Sequence, residues 1–164
     1  MSVNLNLPFQ DDFDEDIEDA TNDIATEEDI VYSVNSFGSD FLVDGLIRRL
    51  KSEDIFRPHF QRSFVWTLPQ ASRFIESILL GLPIPGIFLY REDATRKHLI
   101  IDGLQRLTAI DSFARGIYPN SDKVFRLSGI KSKFKELFID DLDDEDRRRF
   151  FDTVLHATRD FRLT

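Results

Sequence analysis

The chain has 164 residues, 41% of them hydrophobic, with 21 basic and 30 acidic side chains and no cysteine. That length suits one domain with a tail, and the missing cysteines exclude disulfides, thiolate metal sites and a cysteine nucleophile. No apolar run reaches membrane-spanning length and no basic-then-apolar leader opens the chain, so a cytoplasmic protein with no membrane partner is expected.

The net charge of -9 conceals an asymmetry. Every Lys and Arg lies at or after Arg48, and 13 of the acidic residues precede it. The remainder, with 21 basic and 17 acidic side chains, carries +4. An acidic arm over residues 1–29 thus leads a mildly basic domain over residues 30–164. The arm holds Gln10-Asp11-Asp12-Phe13-Asp14-Glu15-Asp16 and Thr26-Glu27-Glu28-Asp29. Few apolar residues recur there, which reads as a disordered leader. A sharper reading makes it an autoinhibitory arm that mimics a polyanion over a basic groove.

Ile30 to Val34 reads as a short strand. Ser39-Asp40 can cap a helix to about Lys51, with Leu42, Leu46 and Leu50 as its stripe. Asp54 to Pro58 is extended, because the residue before a proline avoids the helical region. Thr67-Leu68-Pro69-Gln70 is a capping box with proline in the first turn. The helix that follows places Ala71, Phe74, Ile75, Ile78, Leu79 and Leu82 on one face and stops at Gly81, Pro83 and Pro85. Gly86 to Tyr90 and Lys97 to Ile101 pair as a hairpin. A helix runs from Asp102-Gly103 to Arg115, with Gly116 as its stop. Val124 to Leu127 reads as a strand and Lys131 to Phe138 as a short helix. Asp143 caps a last helix to about Thr158, whose Arg147-Arg148-Arg149 forms a solvated face. Asp160 to Thr164 looks like a strand with no partner downstream, as in a piece cut from a longer protein.

Two clusters carry chemistry. In Ile101-Asp102-Gly103-Leu104-Gln105-Arg106, a strand enters a helix start, where unpaired N–H groups attract anions. Gly103 lets a ligand approach the backbone, and Arg106 adds a phosphate-matching fork. The bland alternative is a capping box of Asp102 and Gln105. Upstream, Gln61 and Arg62 approach a helix start beside Trp66, the only tryptophan, itself read as a core residue. No P-loop, nucleophile elbow, Rossmann fingerprint or local metal spacing of the three histidines is present.

Together these stretches resemble a known family. Pro58-His59-Phe60-Gln61-Arg62-Ser63-Phe64-Val65-Trp66 resembles the P-x-[YF]-Q-R-x-x-V-W segment of the GmrSD restriction-endonuclease N-terminal domain family. Ser77 to Pro85 is similar to its S-I-L-x-G-x-P-I-P helix exit, and Ile101 to Thr108 to its D-G-Q-Q-R-L-T signature. Leu104 departs from that signature, standing where the family has its first Gln. The resemblance implies an α/β fold of the ParB/sulfiredoxin-like superfamily, a small mixed sheet flanked by helices. It implies binding and hydrolysis of a nucleoside triphosphate (NTP) in bacterial restriction of phage or modified DNA, beside an HNH-type nuclease domain or subunit. By match, Asp102, Gln105 and Arg106 are the catalytic candidates. Gln61, Arg62 and Gly103 would bind the nucleotide, and Asp102 would hold Mg²⁺ or a water. A ParB-like DNA-binding or nicking module and a non-catalytic interaction scaffold are the alternatives.

Overall fold

The computed structural model describes residues 34–58 and 63–162. The acidic stretches before residue 30, all but Val34 of the strand expected at Ile30 to Val34, and Gln61 and Arg62 lie outside the described residues. Among the described residues, five strands and four α-helices follow in this order: β1 (Val34–Leu42), α1 (Val43–Lys51), β2 (Ile55–Phe56), α2 (Leu68–Leu79), β3 (Ile87–Arg91), β4 (His98–Asp102), α3 (Leu104–Arg115), α4 (Asp144–Asp152) and β5 (Val154–Arg162). The sheet order is β1-β5-β3-β4-β2. The β1/β5 and β3/β4 pairs are antiparallel, and β3/β5 and β2/β4 are parallel. The sheet is therefore mixed, as expected.

Strand alternation shows which face is covered. Ile87, Leu89, Ile100, Leu155 and Ala157 are buried, whereas their neighbours Phe88, Ile101, Val154 and His156 are exposed. One sheet face therefore meets the helices, as period-two patterning requires. Between sheet and helices lies a single core, filled by Leu46, Ile75, Ile78, Ile110, Phe113, Phe125 and Phe150 among others. The Phe113 ring meets Phe125 and Phe150 edge-on, with centroids 5.5 and 5.3 Å away.

Helix α2 begins as its sequence predicts. The Gln70 side chain accepts from the Thr67 N–H at 2.9 Å and from its hydroxyl at 3.1 Å. Ala71, Ile75, Ile78 and Leu79 are buried, while Leu82 lies past the helix end and is exposed. At α4, Asp143 accepts from the Asp146 N–H at 2.7 Å, as an N-cap should.

Three expectations are corrected. Ser39 and Asp40 do not cap a helix: strand β1 continues to Leu42 and α1 starts at Val43. The last helix stops at Asp152 rather than near Thr158, because residues from Val154 on enter the sheet. Both changes have one cause. All nine residues of β1 pair with all nine of β5, and β5 also pairs with β3 on its other side. The terminal strand thus finds its partners upstream. Third, Lys131 to Phe138 is not a helix. Glu136 takes a left-handed φ of 65°, its N–H donates to the Leu127 carbonyl, and the Leu127 N–H donates to the Leu137 carbonyl. The segment makes only turn-type bonds of its own, Lys135 N–H to the Ser132 carbonyl and Leu137 N–H to the Phe134 carbonyl, and folds back on Leu127 instead of winding an α-helix. Val124 forms an isolated bridge to Ile117 in place of the expected strand.

Candidate functional site

The β4–α3 junction is built by a register change. Leu89 lies opposite Ile100, but Phe88 lies opposite Asp102. Ile101 is the extra residue of a β-bulge, a device that bends a strand and re-aims its side chains. Asp102 is consequently the last strand residue and not the helix cap. Gly103 occupies the N-cap position with φ 99°, and no side chain caps α3. The first-turn N–H groups of a helix have no acceptor within it, so this end carries its partial positive charge uncapped.

Gly103 has a stricter reason to be glycine than ligand approach. A Cβ there would stand 2.4 Å from Ile87 Cγ2 and 3.0 Å from Ile87 Cβ. Its left-handed φ disfavours any L side chain as well. The side of Gly103 that a Cβ would occupy is filled by the neighbouring strand.

Gln105 joins the two sequence clusters. Its Oε1 accepts from the Val65 N–H at 2.8 Å and the Trp66 N–H at 3.3 Å, and its Nε2 donates to the Ser63 carbonyl at 3.2 Å. The capping box with Asp102 is therefore absent. One side-chain amide instead satisfies three backbone groups of a segment about forty residues upstream. Trp66 is half-buried against the core. Its ring lies edge-on to Phe64 at 6.4 Å and to Phe74 at 5.5 Å, and its carbonyl accepts from the Tyr118 hydroxyl at 2.7 Å. Burial raises the Tyr118 pKa, which keeps that hydroxyl a donor.

Asp102 and Arg106 pair at 2.5 Å across the turn. The carboxylate is 62% exposed and the Arg106 side chain 17%. Arg106 Nε is buried without a hydrogen-bond partner. Trp66, Ile101, Asp102, Gly103, Leu104, Gln105 and Arg106 line a cleft of about 430 Å³. Leu104 also lines a second cavity of about 520 Å³, with Leu50, Ile55, Phe56, Arg57, Lys97 and Asp111 among its walls. Four sequence-predicted site residues thus share one cleft with Trp66. The described part of the upstream motif, Ser63 to Trp66, is fastened beside them.

Residues 43–162 match the model of the family described as GmrSD restriction endonuclease, N-terminal domain. The chain belongs to that family. No curated protein and no solved structure was found to match it. Membership makes the chain a component of a restriction system, and the GmrSD signature, Asp102 to Arg106, coincides with the cleft. Among the described residues, no helix is long and apolar enough to cross a membrane.

Sequence reasoning missed Ser63, Val65 and Ile87, because each acts through its backbone or its bulk. A polar Gln at the second position of α3, expected there as a catalytic group or a cap, was the one available hint of the Ser63–Trp66 contact.

Proposed function

We propose that this GmrSD-type domain binds a nucleoside triphosphate with its phosphates at the start of α3 and hydrolyses it. In this reading it is the regulatory part of a system that restricts phage or modified DNA, working beside an HNH-type nuclease. The observation that carries the reading is Arg106. Its guanidinium is mostly buried, one arm reaches Asp102, and its Nε lacks any partner. An orphaned buried donor costs about 1–3 kcal/mol, a cost that ligand binding removes. The donor sits beside an uncapped helix N-terminus, the standing arrangement for receiving phosphate.

The roles follow from this geometry. Arg106 spreads positive charge over the phosphate oxygens, where a phosphoryl-transfer transition state concentrates its negative charge. Gln105, held by the Ser63–Trp66 backbone, fixes the cleft wall. Gln61 and Arg62 stand immediately before that wall in the chain and supply a further amide and cation to the phosphates. Asp102 is the carboxylate of the cleft, and no group of three metal-ligating side chains occurs among the described residues. That donor set fits a magnesium ion that arrives with the phosphates, a mode in which one or two carboxylates suffice. Asp102 would hold it, and the ion would neutralise phosphate charge.

Calorimetry of the full chain with each NTP and Mg²⁺ tests the reading. Binding of at least one NTP is expected, weakened tenfold or more by Arg106→Ala and by Arg62→Ala. Failure of every NTP to bind the intact chain refutes it.

A further inference from the structure

The cavity of about 520 Å³ begins where the α3 cleft ends, and the two share one wall, Leu104. From Leu104 the cavity follows the helix. Leu104, Leu107, Thr108 and Asp111 line it, and residues three, four and seven apart share one helix face. Seven residues separate Leu104 from Asp111, about 10 Å at helical rise. The facing wall is Ile55 to Arg57, on and just after β2, the last strand in the sheet order. Strands β2 and β4 run parallel. Arg57, after β2, and Asp102, which ends β4, therefore lie at the same carboxyl end of the pair. Ligands of open α/β sheets bind in the crevice outside such ends.

The lining suits a small organic ligand, for which an apolar pocket of about 300–1,000 Å³ with a few placed polar groups is usual. Ile55, Ile100 and Leu107 are buried and form an apolar floor. Polar groups stand nearer the rim. The Asp111 carboxylate is taken by Arg115 at 2.9 Å. The Glu53 and Lys97 side chains make no hydrogen bond or ion pair with a described residue, so one acceptor and one donor are available there. Leu104 fits the same picture. Gln, the signature residue at this position, would bring an amide that needs partners wherever it is buried. Leu leaves the shared wall without a polar atom, as the face of a ring or a sugar requires.

One elongated ligand answers these features: anionic at the start of α3, and further along the helix a flat ring with hydrogen-bonding edges. We propose, on the reading that the start of α3 receives the phosphates, that this cavity takes the sugar and base of the same nucleotide and selects among bases. The ring lies against Leu104 and Leu107. The Glu53 carboxylate accepts from a base N–H, and the Lys97 ammonium donates to a ring nitrogen or carbonyl oxygen.

Calorimetry of the full chain with Mg²⁺ compares ATP, GTP, CTP and UTP with inorganic tripolyphosphate, which carries phosphates without sugar or base. The preferred nucleotide is expected to bind about tenfold or more tightly than tripolyphosphate and than the least favoured nucleotide. Thr108→Phe fills the cavity with a ring. It should weaken the preferred nucleotide by about tenfold and leave tripolyphosphate within about twofold, which also reports that the variant is folded. In the unaltered chain, the preferred nucleotide should shift the Ile55 and Leu107 methyl resonances several times further than tripolyphosphate does. If tripolyphosphate and every nucleotide fail to bind, the phosphate reading falls and the base site with it. If nucleotides bind no more tightly than tripolyphosphate, or bind Thr108→Phe as they bind the unaltered chain, the phosphate reading stands and the base site is overturned. If Thr108→Phe weakens both ligands alike, the methyl resonances decide, and equal shifts with the two ligands overturn the base site.

Discussion

Gly103→Ala separates a glycine needed by the fold from one needed by a ligand. The added Cβ meets Ile87 Cγ2 at 2.4 Å and Ile87 Cβ at 3.0 Å, distances that demand movement of a fully buried strand residue. Overpacking of this kind costs roughly 1–3 kcal/mol. The left-handed φ of 99° adds roughly 1–2 kcal/mol for an L side chain. The expected loss is about 2–5 kcal/mol, which at roughly 2–4 °C per kcal/mol for a chain this long lowers Tm by about 4–20 °C. Urea denaturation measures the free energy directly. Ile87→Ala removes the Cγ2 that clashes, so its own cost and that of Gly103→Ala should not add; a coupling of about 1 kcal/mol or more is expected in the double variant. If Gly103→Ala unfolds within about 0.5 kcal/mol of the unaltered protein, the steric account is wrong and the glycine serves only the approach of a ligand.

Gln105→Ala should strand the Val65 and Trp66 N–H groups and cost about 1–3 kcal/mol, with the Val65 amide exchanging its hydrogen markedly faster; unchanged exchange at Val65 counts against the clamp. Asp143→Ala should cost about 1 kcal/mol of stability by uncapping α4, readable as a lowered urea midpoint at unchanged slope. The pKa of His98 is lowered first by burial and then by Arg159, Arg49 and Arg91, so the unfolded chain binds its proton more readily than the folded one. Its contribution is fully present above the unfolded value of 6.5 and is lost as pH falls from there through the lowered folded value. The stability difference between the unaltered protein and His98→Gln should therefore narrow between pH 7.5 and pH 5, and a constant difference would show that His98 titrates as it does in the unfolded chain.

What was legible in the sequence was local. Thr67 and Gln70 announce α2 because a capping box acts within one turn, and the Ile87–Asp102 hairpin is written in two apolar runs around a polar turn. The extent of β1 and β5 was not legible, since Ser39-Asp40 and Asp143 onward both carry helix-start signals. Pairing between strands more than a hundred residues apart decides the outcome at Ser39 and at Val154. The same division holds at the site. Asp102, Gly103, Gln105 and Arg106 could be picked out as one stretch, but not the partners that set their roles. Ile87 beside Gly103 and Ser63 beside Gln105 are tertiary neighbours with no sequence pattern of their own.

Those partners divide the labour of the signature stretch. Gly103 is taken up by Ile87, Leu104 leans on the core, and Gln105 is consumed by three backbone groups. Three of the five residues from Asp102 to Arg106 thus assemble the junction, and only the Asp102–Arg106 pair keeps a partner it can exchange. The Asp102 side of the pair is 62% exposed, which weakens the pair, so in the proposed reading a phosphate that took the Arg106 guanidinium would give up little in breaking it. In that reading the exchange would free the Asp102 carboxylate for a cation accompanying the phosphates. Leu104, where the family pattern has Gln, contributes no polar group to that exchange, so the proposed chemistry rests on the two residues of the pair, joined in that proposal by Gln61 and Arg62.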